Sequence, residues 1–491
     1  MKLRKKIIKT SDAEITGIQD ADGLTVFKNV PYANCHRFQR PVLKTLSGTV
    51  DATCYGPAPW QAPPAPFFSA RSGEPLCVPM DEDCLNLIIW TADLHRPKKA
   101  ILFWIYGGAY IAGYNYRTGF TPEGFVRQHP EVMVIAPNYR VGVFGNLNLS
   151  ALTEQEMYRF SCNLSIWDII CALQWTHKYA ELFGGDVQNI TVYGHSAGSN
   201  AISHMVVMPE CTGLFRRAIC QSSFMPDLGT TRWESSLDVA NHFFQLLNAS
   251  SLETLLVRTP QELLTAQKKL FSKQYAGRAF KLFSPVEDGI LIRRNAFDSF
   301  RNGQINVREM MIGFSEGECD QMYMNLTDAD AEKQLIARNA DKGLTSRDII
   351  TYNTMHPERS FRENLCTIHN ELQIMLGGEL IAQSACKHCK IFEYMFCVPH
   401  PDLGLRALHG DPTYYVFGNH MVDEVAAPGL SQEMMDVFAS FLYTGDPGKG
   451  CKAKWPDYSF DGTVMTITPQ WKNVSSYWMQ DFQYWKNRIQ P

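Results

Sequence analysis

The sequence predicts an α/β protein with a central, mainly parallel sheet that is covered by helices on both faces. Short apolar segments typical of strands alternate with amphipathic segments typical of helices along most of the chain. Parallel strands need crossover connections, and helices usually supply them. Near the middle of the chain, residues 190–198 combine four strand-forming residues, a glycine-bounded turn and the start of a helix. No repeat, low-complexity tract or linker divides the sequence, so we expect one main domain.

The strands and helices can be placed in chain order. Between the second and third predicted strands, apolar residues recur near 3.6-residue spacing from Ile166 to Phe183, which predicts a helix that ends at Gly184-Gly185. Residues 232–281 and 329–381 have helical patterns, and we expect them to lie off the sheet and to cap the site. The predicted strands are residues 101–106, 132–138, 190–193, 218–221, 310–314 and 390–396.

The composition fits a large, nearly neutral protein. The chain has 491 residues, 45% of them hydrophobic, and a formal net charge of −4. This charge excludes a general affinity for nucleic acid or anionic membranes. No apolar run is long enough to span a membrane, and no apolar core of a signal peptide follows the basic residues at the start. We therefore expect residues 1–11 to form a short basic tail, residues 12–486 a single domain, and the protein to be soluble and cytoplasmic.

The cysteines do not indicate a disulfide framework. Fourteen cysteines are spread over the chain without high density or regular spacing. Cys386 and Cys389 have the spacing of a metal or redox pair, but the sequence contains no second pair of this kind. We expect free thiols, no metal and no cofactor.

The turn at residues 194–198 has the pattern Gly-x-Ser-x-Gly, which is typical of a nucleophile elbow. In such an elbow a strand ends abruptly and a helix begins, so that the serine side chain stands clear of the backbone. Glycine is needed at positions 194 and 198 because a side chain there would collide with the neighbouring strand or helix. The pattern predicts Ser196 as an exposed nucleophile beside the positive end of a helix.

A nucleophilic serine needs a base within hydrogen-bonding reach and a carboxylate that orients the base. On a sheet of this kind the three residues follow one another in the order serine, acid, histidine. His409 lies in a loop with glycine and proline after the strand at 390–396, where ligand sites of α/β proteins form. His388, His400 and His420 lie close by in the sequence and remain alternative bases.

The acid is expected just after the strand at residues 310–314. Glu316, Glu318 and Asp320 all follow that strand closely, and their spacing leaves open which of them takes this role. The others are expected to be solvated loop charges. A carboxylate in this position stays ionised, fixes the tautomer of the imidazole and stabilises the imidazolium as it forms.

Backbone N–H groups must also point to the place where a tetrahedral oxygen develops. One is expected from Ala197, the residue after the serine, and the others from a glycine-rich turn after an earlier strand. Residues 106–110, with the sequence Tyr-Gly-Gly-Ala-Tyr, have this position and the small side chains that let the backbone approach a substrate. The alternative is a plain tight turn between a strand and a helix.

In this order the segments resemble the type-B carboxylesterase family, which includes the cholinesterases and the non-catalytic neuroligins. The similarity covers nearly the whole chain and keeps the family's order of segments. Its most distinctive part runs from Phe183 to Gly198. The similar segments are residues 27–33 (FKNVPYA), 82–87 (EDCLNL), 106–110 (YGGAY), 138–145 (NYRVGVFG), 183–198, 409–411 (HGD), 415–418 (YVFG) and 455–458 (WPDY).

The resemblance implies an α/β-hydrolase fold with helical cap insertions and ester hydrolysis through an acyl-enzyme. It implies Ser196 as the nucleophile and His409 as the general base and then acid. The family usually has glycine, four residues and then glutamate, which from Gly313 gives Glu318, with Glu316 as the alternative if the loop is shorter. The implied N–H donors are those of Gly108, Ala109 and Ala197.

The sequence departs from the family pattern at several positions. His195 stands where the family usually has glutamate, which implies a changed charge beside the nucleophile. Ala109 replaces a third glycine but keeps its N–H group. Pro59 stands where many secreted relatives have a cysteine that pairs with Cys84, so this disulfide is expected to be absent.

The implied substrates are small to medium, mostly uncharged esters, and no other partner is implied. An ungapped count places Glu74 where cholinesterases have a cation-binding tryptophan, which disfavours choline esters unless a gap brings in Trp60. Tyr110, Tyr114 and Phe224 lie close in sequence to the catalytic backbone and are candidates for the pocket. The alternative is a catalytically silent relative that acts in adhesion or scaffolding, but such a protein is expected to lack part of the catalytic set.

Overall fold

A central sheet of thirteen strands runs through the described part of the protein. The computed structural model describes residues 3–62, 78–222, 229–272, 281–293, 296–400, 403–419, 427–458, 462–475 and 477–489. In chain order the strands of the sheet are β1 (Arg4–Lys9), β2 (Ala13–Gln19), β3 (Thr25–Pro31), β4 (Gly48–Asp51), β5 (Asn86–Thr91), β6 (Lys99–Ile105), β7 (Val132–Pro137), β8 (Gly185–His195), β9 (Arg217–Gln221), β10 (Glu309–Ser315), β11 (Lys390–Phe396), β12 (Val464–Ile467) and β13 (Lys472–Val474).

The sheet is parallel in its middle and antiparallel toward both edges. Its spatial order is β1-β2-β3-β5-β7-β6-β8-β9-β10-β11-β12-β13, and β4 pairs with β2. The strands from β7 to β12 in that order run parallel to one another. Every residue of β6 and β7 is buried, as expected for strands that are covered on both faces. Three separate two-stranded sheets pair Ala33–Asn34 with Val42–Leu43, Ala58–Pro59 with Met80–Asp81, and Thr231–Arg232 with Val286–Glu287.

Helices connect the parallel strands and flank the sheet. No helix in the described ranges is both long and apolar enough to cross a membrane. The α-helices are α1 (Glu123–Gln128), α2 (Leu164–Tyr179), α3 (Ala197–Met205), α4 (Trp233–Leu247), α5 (Leu252–Leu256), α6 (Pro260–Ser272), α7 (Ala296–Arg301), α8 (Asp328–Arg338), α9 (Ser346–Met355), α10 (Phe361–Asn370), α11 (Leu376–Ala385), α12 (Asp411–Val416), α13 (Leu430–Thr444) and α14 (Met479–Arg488). Shorter 3-10 segments are Gly142–Phe144, Glu156–Tyr158, Ser161–Asn163, Ala180–Phe183, Pro209–Cys211, Asp320–Met322, Ala340–Lys342 and Pro447–Lys449, and Glu371–Met375 is a π-helical turn.

The predicted α/β fold is confirmed, and each predicted strand is present with ends that differ by at most a few residues. The largest difference is in β8, which begins at Gly185 instead of Ile190. The predicted helix is α2, and it continues as the 3-10 turn Ala180–Phe183. Gly184 then ends the helix in a left-handed conformation with φ 84°, which glycine adopts without steric cost.

The first strand lies in the segment that the sequence presents as a basic tail. Within residues 1–11, β1 pairs antiparallel with β2 from Arg4 opposite Gln19 to Lys9 opposite Glu14. Its side chains are exposed or half-buried, so it carries little of the apolar alternation that marks the inner strands. Charged side chains on such an edge strand also hinder pairing with another chain.

The two predicted helical excursions are confirmed. The first contains α4, α5 and α6, and its residues 273–280 lie outside the described part. The second contains α8 to α11 with the π-helical turn. Residues of α4 and α6 pack with Val143, Phe144 and Leu147 in an apolar cluster that is separate from the main core. This part of the cap is therefore held on the segment that follows β7.

A buried ion pair ties that segment to helix α2. Arg140 lies just after β7, and its Nη2 and Nε donate to the carboxylate of Asp168 at 2.6 and 2.8 Å. The backbone N–H of Arg140 donates to the same carboxylate at 3.0 Å. Its Nη1 donates to the carbonyl oxygens of His36 and Gln39. Because both charges are buried, removing one partner leaves the other charge without compensation.

Replacing Asp168 with alanine is expected to lower the free energy of unfolding by about 3–5 kcal/mol, because it leaves the buried guanidinium of Arg140 unpaired. Urea unfolding followed by tryptophan fluorescence measures this change. The control is Glu156→Ala, which removes an exposed partner of Arg159 and should change stability little. Equal effects of the two substitutions would contradict the prediction.

Candidate active site

The carboxyl ends of five parallel strands lie side by side. They form one edge of the sheet, which runs across the strand ends and is distinct from the outer strands. The five strands are β6, β8, β9, β10 and β11. The glycine turn of residues 106–110 follows β6, Ser196 follows β8, and Glu318 follows β10. His409 lies farther along the chain after β11, two residues before α12 begins at Asp411. Ligand sites of open α/β sheets form at this edge.

Ser196 occupies a sharp turn between β8 and α3. It is 4% exposed, so the expectation of an exposed serine is wrong. Its backbone has φ 57° and ψ −121°, a conformation that residues with a side chain seldom adopt. Two backbone hydrogen bonds hold the turn. The N–H of Ser196 donates to the carbonyl oxygen of Gln221 on β9 at 3.0 Å. The carbonyl oxygen of Ser196 accepts from the N–H of Asn200 at 2.9 Å.

The glycines on both sides of Ser196 allow the strand and the helix to approach closely. A Cβ on Gly194 would lie 2.5 Å from the carbonyl carbon of Gly198. A Cβ on Gly198 would overlap the carbonyl oxygen of Ile105, at the end of β6. The collisions that the sequence predicts are therefore present, and they involve backbone atoms that cannot move away alone.

The carboxylate of Glu318 is buried and is bound on both oxygens. Oε2 lies 2.6 Å from Nδ1 of His409. Oε1 accepts a hydrogen bond from Oγ of Ser222 at 2.7 Å and another from the N–H of Ser315 at 2.7 Å. Glu318 is 1% exposed. These contacts fix the carboxylate, and with it the ring of His409.

The neighbouring carboxylates have other surroundings. Asp320 accepts from Nε and Nη2 of Arg406 at 2.8 and 2.7 Å and is buried. Glu316 is half-buried, and burial raises its pKa. The expectation that these residues are solvated loop charges is therefore wrong. Among the three described carboxylates, Glu318 is the one that contacts His409.

The alternative histidines lie in other surroundings or outside the described residues. His388 is exposed, and its Nε2 lies 2.9 Å from the carbonyl oxygen of Arg301. His400 is buried, and its backbone forms a bridge with Leu405. His420 lies outside the described residues. The structure therefore brings His409 to Glu318.

Sequence reasoning missed Ser222, which follows β9. Ser222 has φ 55°, and its N–H donates to the carbonyl oxygen of Gly313 on β10 at 2.7 Å. Its hydroxyl is thereby directed to Glu318. The available signal is its position, since a hydroxyl residue stands directly after a predicted strand, but a serine at a strand end is too common to single out without the spatial order of the strands.

The glycine turn after β6 carries the backbone N–H groups of Gly108 and Ala109. Gly108 has φ 131°, and a Cβ there would overlap the carbonyl oxygen of Ala112. Ala109 is buried and adopts φ 55°. Neither N–H donates to a backbone carbonyl within the part of the chain that the structure describes. Ala197 is the first residue of α3, where the N–H groups have no partner within the helix and carry the positive end of its dipole.

The candidate pocket residues differ in their surroundings. Tyr110 is buried, and its hydroxyl donates to Oδ1 of Asn200 at 2.9 Å, so it supports helix α3. The ring of Tyr114 packs edge-on against Tyr116 with centroids 4.7 Å apart. Phe224 lies outside the described residues.

The described cysteines belong to no group of side chains suited to a metal ion. Cys84 is a buried free thiol. Cys386 and Cys389 are also free thiols, and the described residues contain no group of three or more side chains suited to a metal ion. Glu74 lies outside the described residues.

Comparisons with known proteins bear on this geometry. A sequence profile of the "Carboxylesterase family" matches residues 4–485. The para-nitrobenzyl esterase of Bacillus subtilis (strain 168) is 27% identical over 477 residues, which cover 92% of this chain and 92% of that protein. The acetylcholinesterase of Leptinotarsa decemlineata is 26% identical over 497 residues, covering 89% of this chain and 77% of that protein.

A solved structure is similar over nearly the full length of the chain. The carboxylesterase EST55 of Geobacillus stearothermophilus has a TM-score of 0.83 and 27% identity, and the match covers 98% of this chain and 99% of that one. The expected α/β-hydrolase fold is thereby confirmed.

Replacing Gly198 with alanine is expected to lower the free energy of unfolding by about 3 kcal/mol, because the new Cβ has no room beside the backbone of Ile105. The control is Gly213→Ala, where φ is 77° and no atom lies within 4 Å of the new Cβ, so only the left-handed backbone opposes the change, at a cost of about 1 kcal/mol. Urea unfolding compares the two. A Gly198 variant no less stable than the Gly213 variant would refute the close-approach argument.

Proposed function

We propose that this chain, which belongs to the carboxylesterase family and is an ester hydrolase, cleaves its substrates with Ser196 as nucleophile, His409 as base and Glu318 as orienting carboxylate. The observation that carries this assignment is the 2.6 Å contact between Nδ1 of His409 and Oε2 of Glu318 at the edge of the sheet where Ser196 lies. A carboxylate on Nδ1 leaves Nε2 of the same ring available to take a proton.

The proposed reaction has two steps. In the first, Oγ of Ser196 attacks the ester carbonyl while His409 takes the hydroxyl proton. The tetrahedral intermediate collapses, His409 gives the proton to the leaving alcohol, and an acyl-enzyme remains. In the second, His409 takes a proton from a water molecule that attacks the acyl carbon, and the proton returns to Ser196 as the acid leaves.

The negative oxygen of each tetrahedral intermediate needs donors that are already in place. We assign this role to the N–H groups of Gly108, Ala109 and Ala197. The two in the glycine turn have no competing backbone acceptor among the described residues, and the third lies at the N-terminus of α3. A single donor of this kind contributes on the order of 3 kcal/mol to lowering the barrier.

The proposed substrates are small to medium, mostly uncharged esters. The Bacillus subtilis relative is a para-nitrobenzyl esterase, which supports a neutral alcohol group in the substrate. We further propose that residues 12–486 form one domain, together with strand β1, which pairs with β2 in the same sheet. We also propose that the protein acts in the cytoplasm, which the free thiols at thirteen described cysteines support. No observation favours a catalytically silent protein.

Hydrolysis of short-chain p-nitrophenyl esters is expected to be lost in Ser196→Ala, because the variant has no nucleophile at the elbow. The assay follows release of p-nitrophenol, and Ser203→Ala, which changes another buried serine of the following helix, is the control. A fluorophosphonate probe followed by peptide mapping should label the peptide that contains Ser196. Equal hydrolysis by Ser196→Ala and the unchanged protein would refute the assignment of the nucleophile.

Glu318→Gln is expected to lower kcat by about 10³-fold or more while the fold is kept, because an uncharged amide neither fixes the His409 tautomer nor stabilises the imidazolium. Glu316→Gln, two residues away, is the matched control and should retain nearly full turnover. Initial rates with p-nitrophenyl butyrate give kcat and KM for both, and circular dichroism checks the fold. The opposite ranking of the two variants would show that the acid has been misassigned.

A further inference from the structure

His195 is the last residue of β8, and its ring is buried beside the ring of His409. The two ring centroids are 4.4 Å apart with planes at 47°. On another side, the ring of Phe120 lies nearly parallel to that of His195 with centroids 6.1 Å apart. His195 is 7% exposed. The imidazole of His195 is therefore next to the base and to an aromatic side chain of the loop that follows the glycine turn.

The backbone on two sides leaves room for this ring because glycines stand there. A Cβ on Gly410 would lie 3.2 Å from Cε1 of His195, and a Cβ on Gly107 would lie 3.2 Å from its Nδ1. Gly410 follows His409, and Gly107 begins the turn with the proposed N–H donors. The His195 ring thus fills the space between the loop that carries the base and the turn that carries the donors.

Burial favours the uncharged form of the His195 ring. Burial, together with the positive potential of His409 and Arg117, lowers the pKa of His195 well below its ordinary value. Its Nε2 has no hydrogen-bond partner within the described residues. Among the described residues, the carboxylate of Glu318 binds Nδ1 of His409, the ring of His195 lies beside the ring of His409, and Arg117 adds positive potential at His195.

We propose that His195 is a positioning residue, whose uncharged ring packs on the imidazole of His409 and holds it in the orientation that joins Glu318 to Ser196. This inference rests on the proposed function. A ring held by a single hydrogen bond at Nδ1 can still tilt about that bond. The ring of His195, inclined at 47° with its centroid 4.4 Å away, gives a second contact that restricts the tilt. Small displacements of a catalytic group lower the rate strongly.

The contact between the rings of His195 and His409 affects how kcat/KM depends on pH. His409 acts as a base only when it is neutral, so kcat/KM is expected to fall at acidic pH. A carboxylate placed at position 195 would stabilise the imidazolium form of His409. The acidic limb of the profile would then move to higher pH, because a higher pH is needed to remove the proton.

The test compares His195→Ala, His195→Gln and His195→Glu in the full-length protein with p-nitrophenyl butyrate between pH 5 and 9. The alanine variant should lose about tenfold or more in kcat with KM changed by less than about threefold, because the base is less well held. Glutamine, a flat uncharged side chain, should recover most of this loss and keep the acidic limb in place. Glutamate, with the same shape and a charge, should move the limb up by about one pH unit or more.

Two controls make the result specific. His204→Gln removes another buried imidazole, on α3. Burial lowers the pKa of His204 to about 4. This variant should leave kcat and the acidic limb unchanged. Thermal unfolding identifies variants that fail to fold. If the alanine variant does not fold, the glutamine and glutamate pair decides the question through the position of the limb alone.

The inference is overturned if the glutamate variant shows the same limb as the glutamine variant, if a folded alanine variant keeps full kcat, or if glutamine recovers nothing. A shifted limb in His204→Gln also overturns it. The proposed function is tested separately with Ser196→Ala and His409→Ala. If those variants remain active the proposed function fails, whereas if they are inactive and the position-195 variants behave like the unchanged protein, only this inference fails.

Discussion

The site depends on the close approach of β8, α3 and β6 at the turn that carries Ser196. The backbone of Ser196 has φ 57°, and Gly194 and Gly198 leave no space for side chains between the strand, the helix and Ile105. Such a conformation persists only where surrounding contacts hold it. It directs the serine side chain out of the sheet, and it places the ring of the preceding residue toward the histidine loop.

The backbone conformation of Ser196 recurs at Ser222, which follows the neighbouring strand β9. Ser196 and Ser222 each follow the end of a strand, with φ of 57° and 55°. In each case the N–H donates to a carbonyl oxygen on the next strand, from Ser196 to Gln221 and from Ser222 to Gly313. The parallel register of β8, β9 and β10 thus places Ser196 and Ser222 at equivalent positions, directly after the ends of β8 and β9. One is the proposed nucleophile, and the other donates to the carboxylate of Glu318.

The base comes from a loop that is distant in sequence. Polar contacts anchor α12, the helix that follows this loop, to the sheet. Thr413 of α12 donates to Oε1 of Gln221 at 3.2 Å, and the hydroxyl of Tyr193 donates to the same oxygen. Gln221 and Tyr193 lie on β9 and β8, so the histidine loop is tied to the strands that carry the two serines. These bonds and the contacts of His409 with Glu318 and His195 hold the base in place. Its position therefore depends on the ends of β8, β9 and β10 together.

The sequence by itself determined the features that depend on short stretches of chain. Ser196 and its elbow follow from strand-forming residues, two obligatory glycines and a helix start within nine residues, and the inner strands follow from their continuous apolar character. The sequence also limited the acid to three carboxylates and the base to four histidines. It did not show β1 as a strand, because a charged edge strand has little apolar alternation.

Only the tertiary structure decided which of the candidates meet. Glu318 contacts His409 while Asp320 binds Arg406, because the loop after β10 turns one carboxylate toward the neighbouring strands and another toward a distant arginine. The roles of Ser222 and His195 follow in the same way, since each depends on which strand ends are neighbours and on how distant loops fold over them. Spacing counted from Gly313 indicated Glu318 only through the resemblance to the family. The contacts themselves arise when the parallel strands take their order in the sheet.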